Sequence, residues 1–197
     1  MVVVLVVGLV LPKLSKTMHK APRMNCVSNL KQIGTAFRLW AYDFGGKEAL
    51  YPGQVSTNSH GAMELLARGE VWAVFQVMSY DLGTPRILVC PSDAREAATS
   101  FASLGNTNLS YFVSRDARQD LPDSVLAGDR NLEVAGRPVA VRQLPLTTNL
   151  LIGWTTNQHI RAGNVLLADG AMRQLSSAGF QRFLSHQPLA TNRIVIP

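Results

Sequence analysis

Residues 1–11 (MVVVLVVGLVL) are apolar without interruption, and from Leu14 the pattern becomes periodic. Leu14 and Met18 lead into Cys26, Leu30, Ile33, Phe37 and Trp40, whose spacings of 4, 3, 4 and 3 lay one apolar stripe along a helix. Lys13, Lys16, Lys20, Arg23, Lys31 and Arg38 fall mostly off that stripe. The stretch up to Tyr42 therefore reads as a helix that begins in an apolar medium and ends docked on a folded domain. Pro12 removes a backbone donor and crowds the preceding turn, so it predicts a kink, and Pro22 predicts a second. Gly45-Gly46 ends the helix. The chain thus divides into an N-terminal helical segment, 1–44, and a globular domain, 45–197.

The domain opens with short helices and then turns to β structure. Residues 62–68 read as a helix stopped by Gly69. Residues 71–80 are rich in β-branched side chains, but Val71, Val74, Phe75 and Met78 fall at helical spacing, which favours a second short helix. Residues 87–90 (ILVC) read as a short buried strand closed by Pro91-Ser92-Asp93, and 93–101 have room for a helical turn. Residues 109–113, 124–127 and 150–154 read as strands. Between them, Ala135-Gly136-Arg137-Pro138 is a turn joining weaker β segments. Residues 164–168 and 171–175 flank Asp169-Gly170, a two-residue hairpin signal in which both turn positions need positive φ. Ser176-Ser177 caps a helix over 178–185, and 193–196 read as a last edge strand. The order predicts an α+β fold, a long kinked N-terminal helix packed on an antiparallel sheet. Without βαβ alternation, a parallel nucleotide-binding sheet is not expected.

Composition sharpens this picture in three places. Across 197 residues, 47% hydrophobic and 16% charged content is enough for a core and too little charge for a disordered chain. The net charge of +6 has one dense source, residues 13–23, directly after the apolar run. The later arginines are scattered, so the pattern suits a membrane flank and not a nucleic-acid face. Residues 1–11 supply about half of the roughly 20 apolar residues that a membrane span needs. No basic residue precedes them, as one would in a signal peptide. They make most sense as the distal part of a longer apolar helix that begins ahead of Met1.

Candidate chemistry is sparse. There is no Gly-rich phosphate loop and no G-x-S-x-G elbow, and no cofactor is expected. Cys26 and Cys90 do not form a CxxC pair. They read as two buried thiols, with one disulfide tying helix to domain as the alternative, allowed only in an oxidising compartment. His19, His60, His159 and His186 form no H-x-x-x-H pair, so a metal site would have to assemble from distant positions such as His60, His159 and an Asp. Asp93, Asp129 and Asp169 each follow a strand end. They are Ca²⁺ candidates through oxygen ligands, or plain turn residues bonded to their own backbone. His159 lies in the loop before the hairpin, in reach of a carbonyl or Asp169. Trp72, Trp154 and Tyr111 are candidate ligand contacts, with core packing as the plainer role of each.

His159, nine residues, then Asp169-Gly170 resembles the H-x9-D-G signature of bacterial pilin-like proteins with a prepilin-type cleavage and methylation N-terminus, usually described as type II secretion pseudopilins. Residues 26–34 (CVSNLKQIG) are similar to the C-x-x-N-L-K/R-Q-I-G run of that family, and 88–93 (LVCPSD) to its L-x-C-P-x-D segment. Ser110-Tyr111, 126–131 (LAGDRN) and 164–170 (NVLLADG) look like its later strands, and 2–15 like the second half of its membrane helix. The matches run in order over nearly the whole chain. The family's basic leader, the Gly of the peptidase site and its Phe-Thr-Leu-x-Glu-like start have no counterpart, since Leu5 lies too far along to stand for the docking glutamate.

The resemblance implies a type IV pilin-like fold and no enzyme activity. It implies an inner-membrane location with an extracytoplasmic domain. It assigns membrane and helix–helix contacts to Val2, Val3, Val4, Leu5, Val6, Val7, Leu9, Val10 and Leu11, with Pro12 as the kink. It assigns docking of helix on domain to Cys26, Leu30, Ile33, Phe37 and Trp40. The partners it implies are further copies, other pilin-like subunits, the secretion or pilus assembly machinery and the inner membrane, without nucleic acid.

Overall fold

The periodic stripe folds as helix α1, Lys20–Phe44. The structure is a computed structural model that describes residues 20–197, with side chains from Met24 onward. Cys26, Leu30, Ile33, Phe37 and Trp40 are all buried, and Ala36 and Ala41 complete the same face. Residues four and three apart point the same way on a helix, so one face meets the domain and the other does not. Gly34 lies on the docked side, where a Cβ would come within 2.8 Å of a Leu166 methyl. A small residue there lets the helix approach the sheet closely.

The kink predicted at Pro22 is not an interruption: α1 is one continuous segment with Pro22 in its first described turn. Pro12 and the contact residues Val2–Leu11 lie outside the described residues. Among the described residues no helix is long and apolar enough to cross a membrane.

After α1 come three short helices, α2 (Met63–Ala67), α3 (Val71–Val77) and α4 (Ser79–Leu82). Gly69, at φ 92°, turns the chain between α2 and α3. The helical spacing within 71–78 prevails over β-branching because it puts Val71, Val74, Phe75 and Met78 into the core together. Phe75 meets Phe37 of α1 edge-on at 6.3 Å.

Nine strands follow among the described residues: β1 (Tyr111–Ser114), β2 (Val125–Asp129), β3 (Leu132–Val134), β4 (Arg137–Pro138), β5 (Gln143–Thr147), β6 (Ile152–Trp154), β7 (Ala162–Leu167), β8 (Met172–Ser176) and β9 (Thr191–Val195). They form a six-stranded sheet in the order β5-β9-β1-β2-β7-β8 and a three-stranded sheet in the order β4-β3-β6. Every pairing is antiparallel. Helix α5 (Ser177–Leu184) lies between β8 and β9, with the Ser176 hydroxyl accepting from the Gly179 N–H.

The six-stranded sheet is the middle layer. Tyr111, Val113, Leu166, Ala168 and Val195 join the core shared with α1 and the short helices. Phe112, Val165, Leu167 and Ile194 point the other way, into a second core with the small sheet and α5. Side chains alternate faces along a strand, and here both faces are covered. That explains why β2 and β7 are buried at every position and read as largely apolar runs, each with one buried polar residue, Asp129 or Asn164.

Three further expectations are corrected. Residues 87–90 are not a strand: Pro85–Leu88 is a 3₁₀ turn, started by Pro85 and capped by the Thr84 hydroxyl, which still buries Ile87 and Leu88. The last strand is not an edge, because β9 lies between β5 and β1. The edge on that side is β5, whose Pro145 is tolerated where no further strand requires its N–H. The hairpin after β7 is a three-residue loop, Ala168-Asp169-Gly170, closed by Gly170 N–H to Leu167 O and Leu167 N–H to Ala171 O, both 2.9 Å. Only Gly170 has positive φ, because an extra residue lets Asp169 keep an ordinary conformation.

Gly163 faces Trp154 so closely that a Cβ would come within 2.4 Å of its indole. Gly163→Ala is expected to cost about 1–3 kcal/mol through overpacking. Urea unfolding should show a lowered midpoint at an unchanged slope.

Candidate functional site

Residues from four parts of the chain converge beside the start of β7. Helix α1 supplies Cys26, and the segment after the 3₁₀ turn supplies Cys90. The two are joined by a disulfide across 64 residues, with Cα atoms 5.0 Å apart. The reading as two thiols is therefore corrected: both cysteines are buried as expected, and the alternative, one disulfide tying helix to domain, is the one the structure holds. One helical turn on from Cys26, the Asn29 amide donates to the Val89 carbonyl at 3.1 Å. The C-x-x-N spacing thus puts both grips on one face of α1, aimed at residues 89–90.

The third part is the loop entering β7. Ile160 and Arg161 both have positive φ, at 48° and 55°. A β-branched residue in that region is held against its preference, at a cost of order 1–3 kcal/mol. Directly before them His159 is buried. Its Nε2 lies 3.4 Å from Cys90 Sγ and 3.4 Å from Asp129 Oδ2. The fourth part is the end of β2, where Asp129 Oδ2 also accepts the backbone N–H of Asn164 at 2.8 Å and its side-chain amide at 2.9 Å.

A second network lies alongside, because the neighbours in sequence are neighbours in space. Arg130, next to Asp129, makes a two-pronged contact to Asp93 at 2.8 and 2.7 Å. Gln158, next to His159, donates to the same carboxylate at 2.6 Å, and the Ser110 hydroxyl donates to it at 2.8 Å. Burial raises the cost of charging Asp93, but the hydrogen bonds from Arg130, Ser110 and Gln158 and the Arg130 charge outweigh it. Its carboxyl titrates below the ordinary value.

The two halves of the H-x9-D-G signature do not meet. His159 precedes β7 and Asp169-Gly170 follows it, so a six-residue strand of about 20 Å separates them. The carboxylate beside His159 is Asp129 and not Asp169. Asp169 Oδ1 instead accepts the Ala171 N–H at 2.7 Å, and its carbonyl accepts from Arg38 of α1 at 3.4 Å. Beside it the buried Tyr51 hydroxyl donates to Ala168 O at 2.7 Å, and burial holds that phenol above its usual range. Cys26 and Arg38 stand about 18 Å apart along α1 at 1.5 Å per residue. The signature therefore marks the two ends of β7, one at the disulfide and one under Arg38, over matching lengths of strand and helix.

The other candidates lie elsewhere. Asp93, Asp129 and Asp169 do not come together as a ligand set among the described residues. His60 is exposed at φ 67°, beside the Phe44 ring, and does not join His159. Tyr111 and Trp154 are core residues. Trp72 is partly buried and donates to Glu70 at 2.6 Å. Sequence reasoning gave no role to Asn29, Arg130, Gln158 or the side chain of Asn164. A lone Asn inside the apolar run of β7 was the available signal, since a buried amide needs a partner. Comparison with family models, with curated proteins and with solved structures yields no match.

Reduction, or the pair Cys26→Ser and Cys90→Ser, is expected to lower stability by about 2–4 kcal/mol, as a shift in the urea midpoint. The Asp93 contribution is complete above the unfolded carboxyl value of about 4 and is lost as pH falls through the lower folded value. Urea midpoints should drop over that acid range. Asp93→Asn should lower the midpoint near neutrality and flatten the acid limb.

Proposed function

We propose that the chain is a non-enzymatic, pilin-like subunit of a type II secretion or type IV pilus-like filament. Its globular domain lies outside the cytoplasm, and its N-terminal segment is in the inner membrane before assembly. The observation that carries this reading is the two-sided character of α1. One face is buried against its own domain, while Met24, Leu39, Tyr42 and Phe44 lie largely exposed elsewhere on the same helix, Tyr42 at 87%. Thr35, Arg38, Leu39 and Tyr42, together with Ala49 and Gln119, line an open cleft of about 480 Å³. Leu39 and Tyr42, exposed at i, i+3 spacing, lie on one side of the helix and suit packing against a neighbouring helix. The apolar run 1–11 ahead of α1 is the part that would need lipid or like helices around it.

Two further observations support the reading. A buried disulfide suits an oxidising, extracytoplasmic compartment. The helix-on-antiparallel-sheet arrangement is the one that the resemblance implies, and α1 and the 26–34, 88–93 and 164–170 segments that carry the resemblance pack on each other.

Tyr42 replaced by a photoreactive phenylalanine tests the proposal in cells that assemble the filament. The expected result is membrane-associated protein with ultraviolet-dependent adducts at multiples of the subunit mass. A chain recovered only as a soluble, uncrosslinked monomer overturns it.

A further inference from the structure

We propose that Cys26, Cys90 and His159 are also a metal site that takes a thiophilic divalent cation, with Zn²⁺ as the best fit, whenever the two cysteines are reduced. The inference stands independently of the filament reading. Both sulfurs and a ring nitrogen of His159 lie within 4.8 Å of one another, and all three residues are buried. Tetrahedral zinc holds sulfur at about 2.3 Å and nitrogen at about 2.0 Å, which sets ligand atoms about 3.5 Å apart. The 3.4 Å between Cys90 Sγ and His159 Nε2 is already close to that edge. Parting the sulfurs opens the others.

Asp129 Oδ2, 3.4 Å from the same nitrogen, borders the fourth position. Asn164 holds that carboxylate through two donors, as an outer partner orients a ligand. Two thiolates, a neutral imidazole and a dication sum to no net charge, which suits a buried setting. Soft thiolate ligands favour Zn²⁺ over Ca²⁺ or Mg²⁺.

Disulfide and metal are alternative states of one site, since the same sulfurs serve both. A phosphine or dithiol reductant supplies two electrons. It leaves as a phosphine oxide, with water supplying the oxygen and two protons, or as a disulfide with its own two protons transferred. The protein is left with two thiols. Zn²⁺ then displaces both thiol protons to solvent. Either state fastens α1, the 89–90 segment and the β7 entry loop at one point.

The full chain, unfolded with a phosphine reductant and refolded with Zn²⁺ or Co²⁺, tests this. The expected result is about one ion per chain and, with Co²⁺, thiolate charge-transfer and tetrahedral d–d absorption. Oxidation should release the ion, and the oxidised protein should bind none. His159→Ala should weaken binding at least about tenfold. A reduced chain that refolds only with the metal also supports the site. A reduced, folded chain without stoichiometric metal overturns the proposal. So does a reduced chain that stays unfolded with zinc, or equal binding by the oxidised protein.

Discussion

The docking of α1 on the six-stranded sheet is the interaction on which the rest of the structure depends. That sheet has an apolar side chain on both faces at most positions of its central strands, so each face must be covered. The small sheet and α5 cover one, through Trp154 stacked on Phe180 at 4.7 Å. Helix α1 and the three short helices cover the other. Leu30, Ile33, Phe37 and Trp40 are fully buried in doing so. At about 1.5–3 kcal/mol each they contribute roughly 6–12 kcal/mol of gross burial. The disulfide, at about 4 kcal/mol on a chain-entropy account, is the smaller effect. Burial therefore holds the helix on the sheet, and the covalent bond with the Asn29 contact selects its register.

The same docking gives the H-x9-D-G spacing a physical meaning. A strand and a helix that lie along each other over about 20 Å need about six residues of one and about twelve of the other. His159 and Asp169-Gly170 bracket that length of β7, and Cys26 and Arg38 bracket it on α1. His159 is held by burial, Cys90 and Asp129. Gly170 provides the positive φ of the loop, and Asp169 gives a carboxylate to the turn and a carbonyl to Arg38. The signature marks where strand and helix are attached at both ends.

What remains exposed follows from this division of labour. A helix that spends one face on its own domain has another to offer. On α1 that other surface carries Leu39, Tyr42 and the open cleft beside them. Because the sheet and the disulfide hold the helix rigidly, the outer surface is presented in a fixed position. A surface held in place loses less conformational entropy on packing against a partner than a mobile one does.

Local pattern was enough for much of the fold. The stripe from Cys26 to Trp40, the helical spacing within 71–78, the β run of 164–168 and the serine cap before α5 each depend on residues a few positions apart, so the sequence determined them. The sequence also carried the α+β class, because short connections between consecutive strands favour antiparallel pairing. Tertiary structure alone decided the pairing of Cys26 with Cys90, the choice of Asp129 and not Asp169 beside His159, and the inner place of β9. Each of these joins segments dozens of residues apart or depends on which neighbour a segment meets. Periodicity records which face a residue takes. It carries no record of what the folded chain brings against that face.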